Sequence, residues 1–451
     1  MKDDNKATNQ IFPKKNSQTK IPLTNTQKTV QSSKKININP LILSSILLTF
    51  FRLAGITIQA TIILYLARTL PIDDMGCFGL VYAFLGIVRY IGPIGTDQVA
   101  MRRISREDNS VTAVQSQNIS NSSILITIFM SATTAIIVML TLTSSNFAAF
   151  GALEISAICT AIPAYALMGS FIGQIRGFGY NLSAQLPEAV GTHFFFGIQI
   201  FFLAWFGIVD RETVLICLCS SGWAVVIIYT ILRICIGVDI SYFPKKEEII
   251  QIIKIGFGVF QGLSFTVLSV RAPLFLSTAI IGPSATALME IAIRFGSMPT
   301  IFTNSVGATF SPRFALLAYI GDKAGSMKAL QLAAISAFLP AFSWLMVVAL
   351  AAPYTIKHIL PTIYADAYIP MVLTCTAVVI NAAFGMASNF LLMTGGEKMV
   401  KIFSIFQLIV ICLTSILLAP RLGPIGIAWG MVLGALVRDG GMMIYVLIKK
   451  E

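Results

Sequence analysis

Five arginines lie inside apolar runs that are long enough to cross a membrane. A charge near the centre of a bilayer is costly, so such residues usually face the interior of a helix bundle or a water-filled cavity. A planar guanidinium also offers paired, charge-assisted hydrogen bonds to phosphate and carboxylate oxygens. The sequence therefore predicts a cationic cavity that binds an anion. The five residues are Arg52, Arg89, Arg271, Arg294 and Arg438.

Two of these arginines are the stronger candidates for binding. Arg52 and Arg271 stand near the middle of corresponding apolar runs in the two halves of the chain. Arg89 and Arg294 could instead anchor a helix kink or pair locally. Glu290 precedes Arg294 by four residues, which permits an ion pair within one helix.

Acidic residues are rarer than arginines inside these runs, which makes the predicted cavity net positive. Asp439 is adjacent to Arg438, and we expect this pair to be structural. Glu290, Asp97 and His193 are the candidates for binding a proton or a coupling ion. For His193, which lies in a Phe-rich stretch, a hydrogen-bonded position in the core is the favoured interpretation.

The elements that must position these residues are membrane-spanning helices. The chain has 451 residues, of which 56% are hydrophobic and 12% charged, and its mean hydropathy is +0.81. Soluble domains carry roughly 25% charged residues, so a soluble enzyme is excluded. The apolar runs are continuous, which excludes an outer-membrane barrel with its short alternating segments. After a polar first segment, the chain accommodates about twelve helices of ~20 residues.

The predicted spans form two sets of six and divide the chain into three parts. Residues 1–40 are rich in Lys, Asn, Gln, Thr and Ser, and we expect a disordered basic cytoplasmic tail. Residues 41–240 and 241–451 are expected to form two six-helix lobes around a central cavity, an architecture of transporters. The predicted spans are Leu41–Leu66, Cys77–Thr96, Ser123–Thr143, Phe147–Ser170, Pro187–Val209, Thr213–Leu232, Ile252–Ile281, Ala285–Ala308, Leu330–Ala351, Ala367–Met393, Val400–Ala419 and Gly423–Leu447.

The basic residues of the loops predict the orientation. Cytoplasmic loops retain Lys and Arg, and with the N-terminus inside, most of the 32 basic residues fall on the cytoplasmic side. Both termini are then cytoplasmic, since the number of spans is even. This placement accounts for the net charge of +12 without a nucleic-acid partner. The basic residues left outside are Arg68, Arg211, Lys357 and Arg421.

Motifs of soluble enzymes and metal sites are missing from the sequence. It contains no P-loop, HExxH or GxSxG, and its seven cysteines lack the spacing of metal ligands. We therefore expect no metal, no cofactor and no ATP-driven transport by this chain alone.

The two halves repeat a local pattern. Leu66–Leu80 (LARTLPIDDMGCFGL) and Leu276–Ile291 (LSTAIIGPSATALMEI) each run from one helix through a short turn into the next. Pro93 and Pro299 both stand late in the second helix of their half. Because proline lacks a backbone N–H, each is expected to kink that helix.

Three stretches carry a resemblance to a known family. The stretch Leu66–Arg103, with LARTLPIDDMGCFGL followed by IGPIGTDQVAMRR, resembles the first helix pair of polysaccharide transporters of the multidrug/oligosaccharidyl-lipid/polysaccharide (MOP) exporter superfamily. Phe390–Phe403 (FLLMTGGEKMVKIF) and Leu418–Gly430 (LAPRLGPIGIAWG) resemble the "L-x-x-T-G-x-x-K" turn and the "P-x-x-G-x-x-G-x-A" entry to the last helix of that branch. The resemblance covers Leu41–Ile448.

The resemblance implies a Wzx-type flippase of the bacterial inner membrane with a MATE-like fold. Such a protein moves undecaprenyl-diphosphate-linked oligosaccharide for O-antigen, capsule or exopolysaccharide from the cytoplasmic to the periplasmic leaflet by alternating access. It also implies coupling to an H⁺ or Na⁺ gradient. The implied partners are membrane lipids and polysaccharide polymerase or export proteins.

Two other functions stay open at this point. An ion-coupled multidrug exporter of the same superfamily would share the fold, but it is expected to carry acids in the cavity, whereas the first helix here carries Arg52. A polytopic glycosyltransferase or polymerase could use Asp73 and Asp74 of the first outer turn for metal or base chemistry. Acids in a short turn are more often solvated turn formers, which favours the transporter.

Overall fold

The computed structural model describes residues 38–104, 113–144, 150–238 and 246–448. The chain divides into two compact units, residues 1–46 and 47–451. Within the first unit, only residues 38–46 are described, as the start of a helix; the observations below concern the second. Most of the predicted tail of residues 1–40 therefore lies outside the described residues. The predicted boundary near residue 240 stays a prediction.

The described residues form helices and no strand. Ladder hydrogen bonds within each helix satisfy the backbone without water, which is what a chain in lipid requires. The α-helices are α1 (Ile38–Thr69), α2 (Ile72–Ile91), α3 (Thr96–Ile104), α4 (Ala113–Ser144), α5 (Ala152–Gly177), α6 (Asn181–Leu186), α7 (Thr192–Trp205), α8 (Arg211–Cys235), α9 (Lys246–Ile280), α10 (Pro283–Gly296), α11 (Thr300–Ile320), α12 (Lys323–Ile359), α13 (Tyr368–Phe384), α14 (Met386–Met393), α15 (Glu397–Leu422), α16 (Pro424–Ala435) and α17 (Gly441–Ile448). Two π-helices, Pro187–Gly191 and Leu436–Gly440, and a 3₁₀-helix, Thr362–Ala367, connect some of them.

The number of spans agrees with an all-α polytopic protein. Ten helical stretches of the described residues are long and apolar enough to cross a membrane, and α9, which bends by 51° near residue 262, makes an eleventh. The predicted span Ala285–Ala308 is instead divided into α10 and α11, because the helix breaks at residues 297–299. Neither piece alone meets the length and hydropathy of a span.

Both predicted kinks are confirmed as helix breaks. In the first half, α2 ends at Ile91 and α3 begins beyond Pro93; in the second, α10 ends at Gly296 and α11 begins beyond Pro299. Gly95 follows the first break with φ +71°, and a Cβ there would lie 2.4 Å from the carbonyl oxygen of Gly256 on α9. The first break thus lets the chain pass close to the opposite half.

The helices pack mainly within their own half, and α9 and α10 make the main contacts between the halves. In the first half, α5 packs on α2, α3, α4 and α8; in the second, α13 packs on α10, α12 and α16. Across the halves, α9 lies against α2, α3 and α4, and α10 lies against α2. Small residues permit this approach, since a Cβ on Gly76 would lie 1.8 Å from the carbonyl oxygen of Pro283.

Large apolar side chains cover the outside of the bundle. Phe129, Trp205 and Leu350 are 71%, 79% and 81% exposed. An exposed apolar surface of this extent is unfavourable in water and favourable against lipid tails. The exterior therefore supports a membrane location independently of helix length.

Candidate functional site

A cavity of about 520 Å³ lies between the two halves. Its wall combines residues of α1, α2 and α5–α7 from the first half with residues of α9 and α11 from the second. Three of the five arginines that the sequence places in apolar runs line it directly. The polar residues in the wall include Arg52, Tyr82, Arg89, Tyr90, Tyr165, Gln185, Glu188, His193, Arg271 and Asn304.

Two arginines on one wall are held by the start of the fifth span. Arg52 on α1 donates from Nη2 to Oε1 of Gln185 on α6. Arg89 on α2 forms an ion pair through Nη2 with Oε1 of Glu188. Glu188 belongs to the π-helix Pro187–Gly191, so the partner residues of both arginines lie within one turn of chain.

Arg271 faces the cavity from the opposite half. It approaches α2 at Gly86, where a Cβ would lie 3.1 Å from Nη2 of the guanidinium. Among the described residues, no carboxylate forms an ion pair with it. The glycine therefore provides the space for this side chain, and the guanidinium stays available to a ligand.

Arg294 lies one layer behind the cavity wall. Its Nε donates to Oε1 of Glu290 at 2.6 Å, which is the ion pair four residues apart that the sequence left open. The guanidinium carbon lies 4.4 Å from the centre of the Tyr82 ring, which lines the cavity. Glu290 is fully buried. The Glu290 carboxylate pairs with Arg294, and Glu290 does not line the cavity.

Two of the four arginines in and next to the cavity wall have a carboxylate partner. Glu188 pairs with Arg89 and Glu290 pairs with Arg294. Arg52 has a neutral amide partner, and Arg271 has no carboxylate partner among the described residues. Two positive charges are therefore left for an anion, and they belong to the two arginines that the sequence favoured.

The other two proposed ion-binding residues occupy different environments. His193 is half-buried and lines the cavity, whereas the sequence favoured a hydrogen-bonded position in the core. It follows the π-helix Pro187–Gly191 at the start of α7. Asp97 lies in the first turn of α3, away from the cavity wall, and accepts a hydrogen bond from Nε2 of Gln98 at 2.8 Å. Burial raises the pKa of the Asp97 carboxyl.

Two further charged groups lie in the bundle outside the cavity. Asp439 is 1% exposed, accepts a hydrogen bond from Asn381 at 2.9 Å and lies 3.7 Å from Arg438, which confirms the predicted pairing. Arg233, which the sequence placed in a cytoplasmic loop, is instead 3% exposed. It donates to Oγ of Ser120 at 3.1 Å, because α8 turns it into the bundle.

One contact between the halves lies at the end of α1. We call the membrane face at which α1 ends the far face and the opposite face the near face. At the far face, Arg68 at the end of α1 donates through Nε to the carbonyl oxygen of Ile359, the last residue of α12. Arg68 stands 16 positions after Arg52, about 24 Å along the helix. The cavity therefore lies on the near-face side of this contact.

One of the two acids of the first far-face turn pairs with a basic residue. Asp73 and Asp74 lie in the first turn of α2, where a negative charge is favoured by the helix dipole. Asp74 lies 3.2 Å from Arg211, which also pairs with Glu154 at 2.6 Å. Asp73 is exposed, as expected of a solvated turn residue, whereas Asp74 is held by Arg211.

Comparison with known proteins identifies the fold and the family. Residues 42–317 match the family model described as polysaccharide biosynthesis protein. No curated protein matches the chain by sequence.

Solved structures of transporters match nearly the whole chain. An inward-facing multidrug resistance MATE family transporter of the MOP superfamily matches with a TM-score of 0.73 and 15% identity over 89% of this chain and 99% of its own. Lipid II flippase MurJ in an inward closed conformation matches with 0.72 and 13% over 91% and 89%. A MOP superfamily transporter from Pyrococcus furiosus matches with 0.64 and 15% over 90% and 95%.

These matches agree with the geometry of the bundle. The structural likeness establishes the fold, and the family model covers more than half of the chain. The sequence resemblance is thereby confirmed. The chain is a multi-pass membrane protein of the MOP fold that belongs to the polysaccharide biosynthesis protein family.

Proposed function

We propose that the chain is a flippase for undecaprenyl-diphosphate-linked oligosaccharide. It moves O-antigen, capsule or exopolysaccharide repeat units from the cytoplasmic to the periplasmic leaflet of the bacterial inner membrane. The observation that carries this proposal is the pair of cavity arginines, Arg52 and Arg271, that have no carboxylate partner within the part of the chain that the structure describes. A diphosphate diester supplies a matching negative charge and several acceptor oxygens in a compact group.

The rest of the cavity wall suits a glycan. Tyr82 and Tyr90 offer aromatic faces and hydroxyl groups, while Gln185 and Asn304 offer amides that donate and accept hydrogen bonds. A cavity of about 520 Å³ accommodates the diphosphate and the first sugars. The polyprenyl chain stays in the bilayer, and the near face is the cytoplasmic face, as the basic loops predict.

The same charges disfavour a multidrug exporter. Cationic drugs would meet two uncompensated arginines in this cavity. The Pyrococcus furiosus transporter is described as having a binding pocket of reverse polarity and a different function, so pocket charge varies on this fold. The lipid II flippase MurJ shows that the fold also serves lipid flipping. We propose an H⁺ or Na⁺ gradient as the energy source, with His193 as the ionisable group inside the cavity.

Lipid analysis of a deletion strain tests the proposal. Complete undecaprenyl-diphosphate-linked repeat units should accumulate facing the cytoplasm, and the chain supplied in trans should restore their export. Truncated units would indicate a glycosyltransferase. An unchanged lipid pool with new drug sensitivity would indicate a multidrug exporter. Either result would overturn the flippase.

The enzyme alternative has its own test. Asp73→Ala combined with Asp74→Ala should leave export largely intact, because Glu154 still holds Arg211. A membrane-inserted double variant that makes no glycan would restore the glycosyltransferase as a candidate.

A further inference from the structure

The ion pair between Arg89 and Glu188 lies in the cavity wall. Both side chains are partly exposed, 17% for Arg89 and 26% for Glu188, and both residues line the cavity. In the ion pairs Arg294–Glu290 and Arg438–Asp439, by contrast, the carboxylate side chain is 1% exposed. A molecule that enters the cavity can therefore reach this pair, whereas Glu290 and Asp439 are shielded.

Arg89 has donor capacity that Glu188 does not use. It pairs with the carboxylate through Nη2, and its Nε has no hydrogen-bond partner among the described residues. The guanidinium carbon lies 5.0 Å from the centre of the Tyr90 ring, which restrains its plane. A guanidinium with spare donors on a cavity wall can accept a second, better anionic partner.

The position of Glu188 is fixed by a backbone contact between helices. Glu188 is the second residue of the π-helix, and Ala189 follows it. A Cβ on Gly55 of α1 would lie 1.8 Å from the carbonyl oxygen of Ala189, so the two backbones touch. Single π-turns occur frequently at functional sites. Here the π-turn places one carboxylate opposite Arg89, while Arg52 and Arg271 have none among the residues that the structure describes.

We propose that Glu188 is a displaceable counter-ion of the transport cavity. Glu188 forms the ion pair with Arg89 while the cavity is empty. A phosphate group of the cargo replaces Glu188 as the partner of the guanidinium, and the ion pair forms again when the cargo leaves. This inference rests on the proposed function, because it assumes a phosphate-bearing ligand. It assigns Glu188 a role in ligand affinity that is distinct from the role of the arginines.

The physical reason is the cost of an isolated charge. A partly buried arginine without an anionic partner is energetically unfavourable. Without Glu188, release of the cargo would leave Arg89 in that state, so release would be opposed by the full cost of the unpaired charge. An internal carboxylate offsets it and weakens cargo binding by the same amount, since the two anions compete for one cation. A cavity that must release its cargo on the opposite side benefits from such competition.

Titration with inorganic pyrophosphate tests the inference on the purified full-length protein. Glu188→Gln keeps the shape of the side chain and removes the charge, so pyrophosphate should bind roughly tenfold more tightly and dissociate more slowly. A merely structural role would leave affinity unchanged or lower it. Glu154→Gln is the matched control, because Glu154 also pairs with an arginine but lies away from the cavity wall. Its affinity should equal that of the unmodified protein.

The outcomes separate this inference from the proposed function. Binding that Arg271→Ala weakens and Glu188→Gln leaves unchanged would overturn the counter-ion and retain the anion site. No pyrophosphate binding by the unmodified protein would overturn both. If Glu188→Gln does not insert, Glu188→Asp should still bind pyrophosphate more tightly than the unmodified protein, because the shorter side chain weakens the pair with Arg89. Equal or weaker binding by Glu188→Asp would overturn the inference.

Discussion

Arg271 carries the most direct test at the scale of single residues. Its guanidinium faces the cavity without a carboxylate partner among the described residues. Arg271→Ala should lower surface glycan at least tenfold, and Arg271→Lys should retain part of it, because an ammonium keeps the charge and loses the planar fork. Surface glycan per unit of membrane-inserted protein is the measurement. Arg313→Ala, an exposed arginine on α11, should behave like the unmodified protein.

Gly86 tests whether the position of Arg271 matters as well as its charge. A Cβ at residue 86 would lie 3.1 Å from Nη2 of Arg271, so Gly86→Ala should shift the guanidinium by a few tenths of an ångström and reduce export severalfold. Gly258→Ala is the control, because a Cβ there meets nothing within 4 Å. Equal export by both variants would show that the precise position of the guanidinium is unimportant.

The sequence predicted the cations of the cavity better than their partners. An arginine in an apolar run stands out because its burial is costly, so Arg52, Arg89 and Arg271 were identifiable without a structure. Gln185 lies 133 positions from Arg52, and the two meet only because α1 contacts the chain near Ala189. The sequence offered only a weak indication that Glu188 belongs to the site: it is an acidic residue near the start of the apolar run that also contains His193.

At the scale of helices, the contact of α1 with the π-helix is the tightest element of the site. Gly55→Ala would place a Cβ 1.8 Å from the carbonyl oxygen of Ala189, which forces the two backbones apart. We expect this variant to lower the free energy of unfolding by about 2 kcal/mol and to weaken the Arg52–Gln185 hydrogen bond. The midpoint of thermal aggregation in detergent checks the loss, with Gly258→Ala as the control.

The helix breaks at proline could be predicted from the sequence, whereas the π-helix could not. Pro93 and Pro299 interrupt the backbone ladder for a local reason, so their positions in the sequence indicated the breaks at α2 and α10. The π-helix Pro187–Gly191 depends on the contact of Ala189 with a distant glycine. Apolar periodicity therefore predicted the existence of the fifth span and not the direction of His193 within it.

At the scale of the whole molecule, the far-face contact separates the cavity from the far side. Arg68 joins the end of α1 to the last carbonyl of α12, and its loss should raise the fraction of protein that opens there. Arg68→Ala should therefore increase labelling of a cysteine introduced at Leu360, a buried neighbour of the contact, by a membrane-impermeant maleimide applied from the far side. The parent protein should lack the seven native cysteines. Unchanged labelling would show that this contact does not keep the far side closed.

The two cavity arginines that lack a carboxylate partner among the described residues make transport sensitive to the membrane potential. In the proposed flippase, a bound diphosphate would compensate Arg52 and Arg271, and the loaded protein would reorient with little net charge in the cavity. Without cargo, two positive charges return toward the cytoplasmic side, and an inside-negative potential favours that step by up to about 2.3 kcal/mol per charge per 100 mV. Flipping in proteoliposomes should therefore be faster under an inside-negative potassium diffusion potential than under the reverse. Equal rates would show that the empty cavity returns electrically neutral.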